Sequence, residues 1–264
     1  MKLVTFNMQN RPAEPRAERR ERLARIAGLL RSTEPDLVCL QECLIDDFEF
    51  LRTALAANRA GFTPRDDGQT LGEGNPIFLM NSRWEMLGFH TFWLSATPEA
   101  PSRSWRSAHH RIASVMKIRY AGEDRRQIHV LNVHLDHRSA LARRKSLVLI
   151  RRELQRWFES PDNAFIVCGD FNIRPRRLQG TGFIGEPIIN ETNNSMVMLD
   201  PAIRMDPVQD GPTFLGAGRF GLFRARIDYC LHSDNLKCLE YGVTDPDWEG
   251  RRLSDHRIVR AEFA

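Results

Sequence analysis

Eight residues in six short polar clusters have the side chains needed to hold a hard divalent cation, grip a phosphate and activate water: Asn7, Glu42, His134, Asp170, Asn172, Asp228, Asp255 and His256. The clusters are Thr5-Phe6-Asn7, Gln41-Glu42, Asn132-Val133-His134, Gly169-Asp170-Phe171-Asn172, Ile227-Asp228-Tyr229 and Ser254-Asp255-His256, each at the edge of an apolar run. Glu42 offers the carboxylate oxygen that Mg2+ and Mn2+ prefer. Asp170 directly follows Phe165-Ile166-Val167-Cys168-Gly169, where an ionised carboxylate is partly desolvated and needs a partner or a task. It could position or deprotonate a water. The Asn172 amide, two residues on, could donate to a phosphate oxygen. Asp228 and Asp255-His256 add carboxylate–imidazole chemistry. One carboxylate can hold His256 in its tautomer while the other turns toward a metal. Each cluster taken alone also has a plainer reading, as a solvated strand end, an Asx turn or a surface loop. The chemistry therefore depends on whether the six meet.

His134, Asp136 and His137 are compact enough to raise zinc as an alternative, but no H-E-x-x-H helix or cysteine partner supports it. A donor to phosphate suits His134 better. The five cysteines (Cys39, Cys43, Cys168, Cys230, Cys238) form no C-x-x-C spacing, and three lie inside apolar runs. They read as buried thiols in a reducing compartment, with no disulfide framework.

The elements that must position these residues can be read from periodicity. Leu3-Val4-Thr5-Phe6 is a strand ending at Asn7, and Leu37-Val38-Cys39-Leu40 a buried strand ending at Gln41-Glu42. Between them Leu23, Ile26, Ala27 and Leu30 recur with the spacing of one helical face, after a polar loop over residues 8–19. Residues 44–57 read as a second helix, 61–76 as turns, and 77–80, 86–94, 112–119 and 128–133 as strands. Residues 139–158 are the clearest helix, with Leu147, Ile150, Leu154, Trp157 and Phe158 in one stripe and arginines on the rest. Residues 164–168 form a strand ending at Gly169-Asp170, 173–226 read as irregular, and 227–231 and 258–263 as the last strands. Asn7, Glu42, His134 and Asp170 end strands, whereas Asp228 and Asp255-His256 open them. In mixed sheets the end of one strand and the start of its reversed neighbour share an edge, so all six clusters fit one edge of an α/β or α+β stack.

With 264 residues, 42% hydrophobic and 27% charged, the chain can bury a sizeable core, and we read residues 1–264 as a single domain. The net charge of +4 comes from 38 basic and 34 acidic residues, and arginine dominates the basic set, which suits bidentate phosphate recognition. No apolar run approaches the ~20 residues of a membrane span. The chain opens at once on a strand, leaving no room for a signal peptide, so a cytoplasmic location is expected.

In this order and over residues 5–256, the six clusters resemble the endonuclease/exonuclease/phosphatase superfamily of DNase I-like, metal-dependent phosphoesterases. The resemblance implies a four-layered α/β-sandwich: two packed mixed β-sheets flanked by helices, with the active site on one edge. It implies a Mg2+ (or Mn2+) cofactor served by Asn7, Glu42 and Asp255, with Glu42 a direct ligand. Asp170 would orient or activate the attacking water, Asn172 and His134 would hold the phosphate, and His256 would stabilise it in the transition state, oriented by Asp228. His134 places the chain with the DNase-like and deadenylase-like branches.

Phe92-Trp93-Leu94-Ser95, Thr97-Pro98, Ser104-Trp105 and Arg111 are similar to a largely bacterial branch of the superfamily, and Arg111 is a candidate substrate-binding residue at the site edge or a structural arginine. Arg257 stands where a proline often follows the Asp-His pair. The arginines of 139–156, of Arg174-Pro175-Arg176-Arg177 and of Arg219 to Arg226 favour a polyanionic phosphate ester, DNA or RNA, as substrate. A small-molecule phosphatase or phosphodiesterase is the alternative, and a non-catalytic binding module the third reading. Nothing in the sequence specifies an oligomeric state.

Overall fold

Strands that alternate between two apolar faces must bury both of them, and this chain does so by stacking two mixed sheets and covering their outer faces with helices. The structure, a computed structural model, describes residues 1–123, 126–203, 211–216 and 224–264. The first sheet holds β1 (Lys2–Asn7), β2 (Leu37–Gln41), β3 (Arg59–Gly61), β4 (Ile77–Leu79), β12 (Cys238–Thr244) and β15 (Ile258–Phe263), in the order β12-β15-β1-β2-β4-β3. The second holds β5 (Trp84–Trp93), β6 (Ile112–Tyr120), β7 (Ile128–His134), β8 (Ala164–Asp170), β9 (Pro187–Ile189), β10 (Ser195–Leu199) and β11 (Asp228–Ser233), in the order β5-β6-β7-β8-β11-β10-β9. A hairpin of β13 (Asp247–Trp248) and β14 (Arg251–Arg252) stands apart. Helices α1 (Arg16–Ser32) and α2 (Ile45–Ala54) flank the first sheet and α3 (Ala140–Trp157) the second, with the short α4 (Pro175–Gln179) after β8.

The period of two decides which side chains face which layer. Leu3, Leu37, Cys39, Val130, Ile166, Cys168 and Cys230 pack between the sheets. Their neighbours Val4, Phe6, Val38 and Leu40 turn outward onto α1 and α2. Leu131, Val133, Phe165, Val167 and Tyr229 turn outward onto α3. By the same alternation Asn7, Gln41, Asn132, His134, Asp170 and Asp228 stand on the inner faces, where the inter-sheet core ends. β1 and β2 are parallel, as are β7 and β8, whereas β15 and β11 run antiparallel to β1 and β8. That combination brings four strand ends and two strand starts to one edge. In register, Asp170 lies opposite both His134 and Asp228.

Asn132 joins the two sheets at this edge. Its amide donates to the carbonyls of Leu40 (2.8 Å) and Pro76 (2.9 Å) and accepts from Gln41 Nε2 (2.7 Å), which also donates to Thr5 Oγ1 (3.0 Å). Gly169 has φ +121, and a Cβ there would lie 2.0 Å from the Val133 carbonyl oxygen, so the chain turns into Asp170 through a position only glycine fills.

The structure differs from the sequence reading in local detail. Helix α1 starts at Arg16, before its first apolar contact, because Pro15 precedes a run of good helix formers. Residues 173–226 contain α4, β9, β10 and a 3-10 turn at Pro201–Ile203 rather than only irregular chain. The edge strand β12 and the β13–β14 hairpin carry weak apolar alternation and were not legible as strands. No described helix is long and apolar enough to cross a membrane.

Asn132→Ala removes the inter-sheet donor and leaves buried groups of Leu40 and Gln41 short of a partner. We expect a loss of about 2–3 kcal/mol in unfolding free energy, read from the urea midpoint. A loss well below about 1 kcal/mol contradicts the bridging role.

Candidate active site

Four strand ends and two strand starts bring the predicted residues to one edge of the sheet stack, and Asp170 is the group at its centre. Asp170 is 2% exposed. Its Oδ2 accepts from Asn7 Nδ2 at 3.1 Å and lies 3.5 Å from His134 Nε2 and 3.8 Å from His256 Nε2. Its Oδ1 accepts from the Asn172 backbone N–H at 2.9 Å. Burial, reinforced by the charge of Asp228, raises the Asp170 carboxyl to about 7, against the opposing pull of His256 and of its hydrogen-bond donors.

His256 and Asp228 form a buried pair, with Nδ1 at 2.9 Å and 3.1 Å from the two carboxylate oxygens. Burial disfavours the imidazolium, but Asp228, Asp170 and Asp255 outweigh it and raise the group to about 10. His256 is therefore cationic at neutral pH, with Nε2 turned toward Asp170. The backbone N–H groups of Ile227 and Asp228 donate to Thr213 Oγ1 at 3.0 Å, and the Phe214 ring lies 5.0 Å from that of His256. Ser254 accepts from the His256 N–H and donates to the Asn7 carbonyl, tying the start of β15 to the end of β1.

His134 is buried, and burial followed by the charges of Arg111 and Arg65 holds it well below the usual imidazole range, so it is neutral. Asn172, at φ +52, donates from its side chain to the Leu135 carbonyl at 3.1 Å. Arg111 is 5% exposed. Its Nη2 lies 3.2 Å from His137 Nδ1, and its Nε, 4.0 Å from an Asp136 oxygen, has no hydrogen-bond partner, nor has Nη1. Burial and then Arg65 lower it to about 10. A buried guanidinium with idle donors beside His134 suits an anion.

On the other side of Asp170, Asn7 Nδ2 also donates to Glu42 Oε1 at 3.0 Å, and Glu42 Oε2 accepts from the Asn10 N–H at 2.7 Å. Asn7 Oδ1 accepts from the Gln9 N–H. Glu42 itself sits at φ +60. Burial and the nearby Glu73 raise its carboxyl, which a cation would relieve. Glu73 is held by Asn10 and by Arg65 at 2.5 Å. Asp255 is half-buried beside His256, and its carboxylate accepts no hydrogen bond from a described residue.

Two groupings offer oxygen to a metal. Asp170, Asp228 and His256 present donor atoms within 4.8 Å of one another. Their internal ion pair and the cationic state of His256 leave that trio poorly suited to ligation. The carboxylates of Glu42 and Asp170, bridged by the Asn7 Nδ2–H, form the oxygen-rich, charge-frustrated side, which fits a hard cation. The zinc alternative fails. Asp136 is filled by Ser107 Oγ and the N–H groups of Ala108, Arg138 and Ser139, and is held at about 2 by those bonds against the effect of burial.

The profile of the Endonuclease/Exonuclease/phosphatase family matches residues 4–256. The chain belongs to that family. Among solved structures, a Bacteroides thetaiotaomicron mannosyl-6-phosphatase superposes with TM-score 0.83 at 23% identity, covering 100% of this chain and 99% of that one. An endonuclease/exonuclease/phosphatase from Bacteroides vulgatus gives TM-score 0.83 at 26% identity, with coverage of 100% and 98%. D. rerio TDP2, solved with single strand DNA product, gives 0.77 at 16% identity, with coverage of 100% and 98%. No curated protein sequence matches the chain. The likenesses establish the DNase I-like fold.

Sequence reasoning gave no role to Asn10, Arg65, Glu73, Thr213 or Phe214. No local pattern marks them, since each acts through a contact distant in sequence. Of the arginines expected to meet substrate, Arg226 is buried, ion-paired to Asp200 and stacked over Tyr229, which makes it structural. Arg219 lies outside the described residues. Arg151 binds the carbonyls of Gly182 and Glu186, and Arg152 and Arg156 pair with Glu153.

The raised Asp170 carboxyl has a stability consequence. A folded-state value near 7 against an ordinary value of 3.8 means that the folded protein binds more protons between those pH values. Stability without metal then falls across that window as pH rises. Asp170→Asn removes the penalty. The variant-minus-parent difference in Tm should grow more positive from about pH 4 to about pH 7, measured in chelator. A difference independent of pH contradicts a raised Asp170.

Proposed function

We propose that this chain is a Mg2+- or Mn2+-dependent phosphoesterase that hydrolyses phosphodiester bonds by in-line attack of water, with nucleic acid as substrate and residues 1–264 acting as one catalytic unit. The observation that carries the reading is the position of Asp170. One side of it adjoins Asn7 and Glu42, and the other adjoins His134, His256 and Asp228.

Glu42, with Asn7 and Asp255 as further members, would hold the cation. Bound there, a divalent ion supplies neutralisation of charge on the phosphoryl and leaving oxygens. The remaining work belongs to the side chains. Asp170, ionised above about 7, accepts the proton of a water as its oxygen bonds to phosphorus, and the bond to the leaving oxygen breaks on the opposite side. His256, cationic and fixed by Asp228, places its Nε2–H against the phosphoryl oxygen as negative charge grows there. Neutral His134 and the Asn172 amide add donors. Arg111, with two idle nitrogens, supplies a permanent positive charge. Because these donors are fixed before the substrate arrives, little reorganisation remains for the reaction step.

A second reading, hydrolysis of a small phosphate ester such as a nucleotide, phosphoinositide or phospholipid headgroup, is supported by the likeness to a protein named a mannosyl-6-phosphatase. A non-catalytic module would be expected to lack catalytic groups, and all eight predicted residues are present.

A panel of oligonucleotides, phosphodiesters and phosphomonoesters with Mg2+ or Mn2+ tests the reading. Oligonucleotide cleavage, lost in chelator and restored by metal, is expected. Turnover confined to monoesters contradicts it. Alanine at 256 would strand Asp228 as a buried unpaired charge. Asp170→Asn and His256→Gln are therefore the cleaner variants, expected to lower kcat by at least about 10²–10³-fold with the fold retained by circular dichroism. Full turnover by either removes that residue from the mechanism.

A further inference from the structure

Beside Asn172 the surface opens into a groove of about 930 Å³ that adjoins the centre built around Asp170. Among the described residues five guanidinium groups line it, from Arg143, Arg144, Arg174, Arg176 and Arg177, and no acidic residue does. Arg143 donates to the Asp136 carbonyl. The other four are exposed and make no side-chain hydrogen bond or ion pair with a described residue. Exposed arginines elsewhere do find carboxylates, as Arg52 does in Glu49 and Arg260 in Glu240.

Both walls are firmly held. The first turns of α3 are fixed by the Ser139 cap, whose hydroxyl accepts from the Ala142 N–H, and by Asp136 beneath. The α4 wall is pinned by Leu178, which is fully buried against the sheet core, so the flanking arginines point to solvent. Arg143 and Arg144 sit near the N-terminal end of α3, whose first turn carries no acidic residue and where the helix dipole disfavours cations. Burial, joined by the charge of Arg177 and opposed by that of Asp136, holds the Arg143 guanidinium below its ordinary value. The four exposed like charges, with no carboxylate paired to them among the described residues, are relieved by a polyanion. Besides Asn172, the other described lining residues are aliphatic or small (Ala140, Ile173, Pro175, Thr181 and Ile227), and none of them offers a ring on which a base could stack.

We propose that this groove is the track for the sugar–phosphate backbone of a nucleic-acid strand, entering or leaving the hydrolytic centre past Asn172. The inference rests on the phosphoesterase reading for its direction, since Asn172 lines the groove and also bonds Asp170 through its N–H. Contacts through guanidinium to phosphate, without base stacking, make the track indifferent to sequence. Arg144, Arg176 and Arg177 set how many phosphates are held beyond the scissile one.

The test measures binding of fluorescein-labelled dT and rU dodecamers by anisotropy across a salt series, in chelator, so no turnover enters. Parent protein is compared with the triple variant Arg144→Ala, Arg176→Ala, Arg177→Ala and with a charge-matched triple on the opposite layer, Arg20→Ala, Arg31→Ala, Arg52→Ala. The groove triple should lower the slope of log affinity against log salt by about two, at roughly 0.7 for each phosphate no longer neutralised. The control triple should leave the slope in place. The dT and rU arms decide between DNA and RNA. Equal effects of the two triples, or no effect of the groove triple, overturn the track. Salt-dependent binding that the groove triple abolishes, in a protein that cleaves no phosphate ester with metal, upholds the track and overturns the phosphoesterase reading.

Discussion

Asp170 is almost wholly withdrawn from bulk solvent, so the protein must supply most of its environment from parts of the chain far apart in sequence. Asn7 reaches it from β1, His134 from β7, His256 from the approach to β15, and Asn172 from its own turn. An ionised carboxylate buried without such partners would cost several kcal/mol. Burial and the charge of Asp228 still hold it partly protonated near neutrality, against the pull of those partners. A base ready to take a proton and a histidine that keeps one are two outcomes of one buried network.

That network exists because of sheet geometry. Parallel pairs β1–β2 and β7–β8 end where antiparallel β15 and β11 begin. Side-chain alternation then turns Asn7, Gln41, His134, Asp170 and Asp228 toward the space between the sheets. Asn132 and Gln41 lock the two sheets together one layer below, which sets the spacing of everything above them. A sheet slipping by one residue would turn these groups outward and dissolve the centre. Asn7, Glu42 and His256 come from the first sheet and His134, Asp170 and Asp228 from the second, so packing between the layers positions the chemistry.

Much of this was legible in the sequence. Apolar runs that stop at Asn7, Glu42, His134 and Asp170 give strand ends directly, because a buried strand cannot continue through such residues without partners. The reversed placement of Asp228 and Asp255-His256 disclosed antiparallel neighbours. The α3 stripe was equally clear. Contacts that depend on distant chain were not legible. Arg226 reads as an exposed basic residue until Asp200 is seen against it. Glu73, Asn10 and Arg65 carry no periodic signal and converge only when the 61–76 turns fold over the site. The edge strand β12 has a half-exposed pattern that tertiary pairing with β15, not local preference, makes a strand.

The account stands or falls on whether one cation and one tetrahedral anion share this edge. A crystal structure grown with Mn2+ and inorganic phosphate, read at the manganese absorption edge, tests it most directly. The account predicts an anomalous peak at about 2.0–2.2 Å from a Glu42 carboxylate oxygen, with the phosphate against His134, Asn172 and His256. A manganese peak away from Glu42, or a phosphate bound away from both histidines, would contradict it.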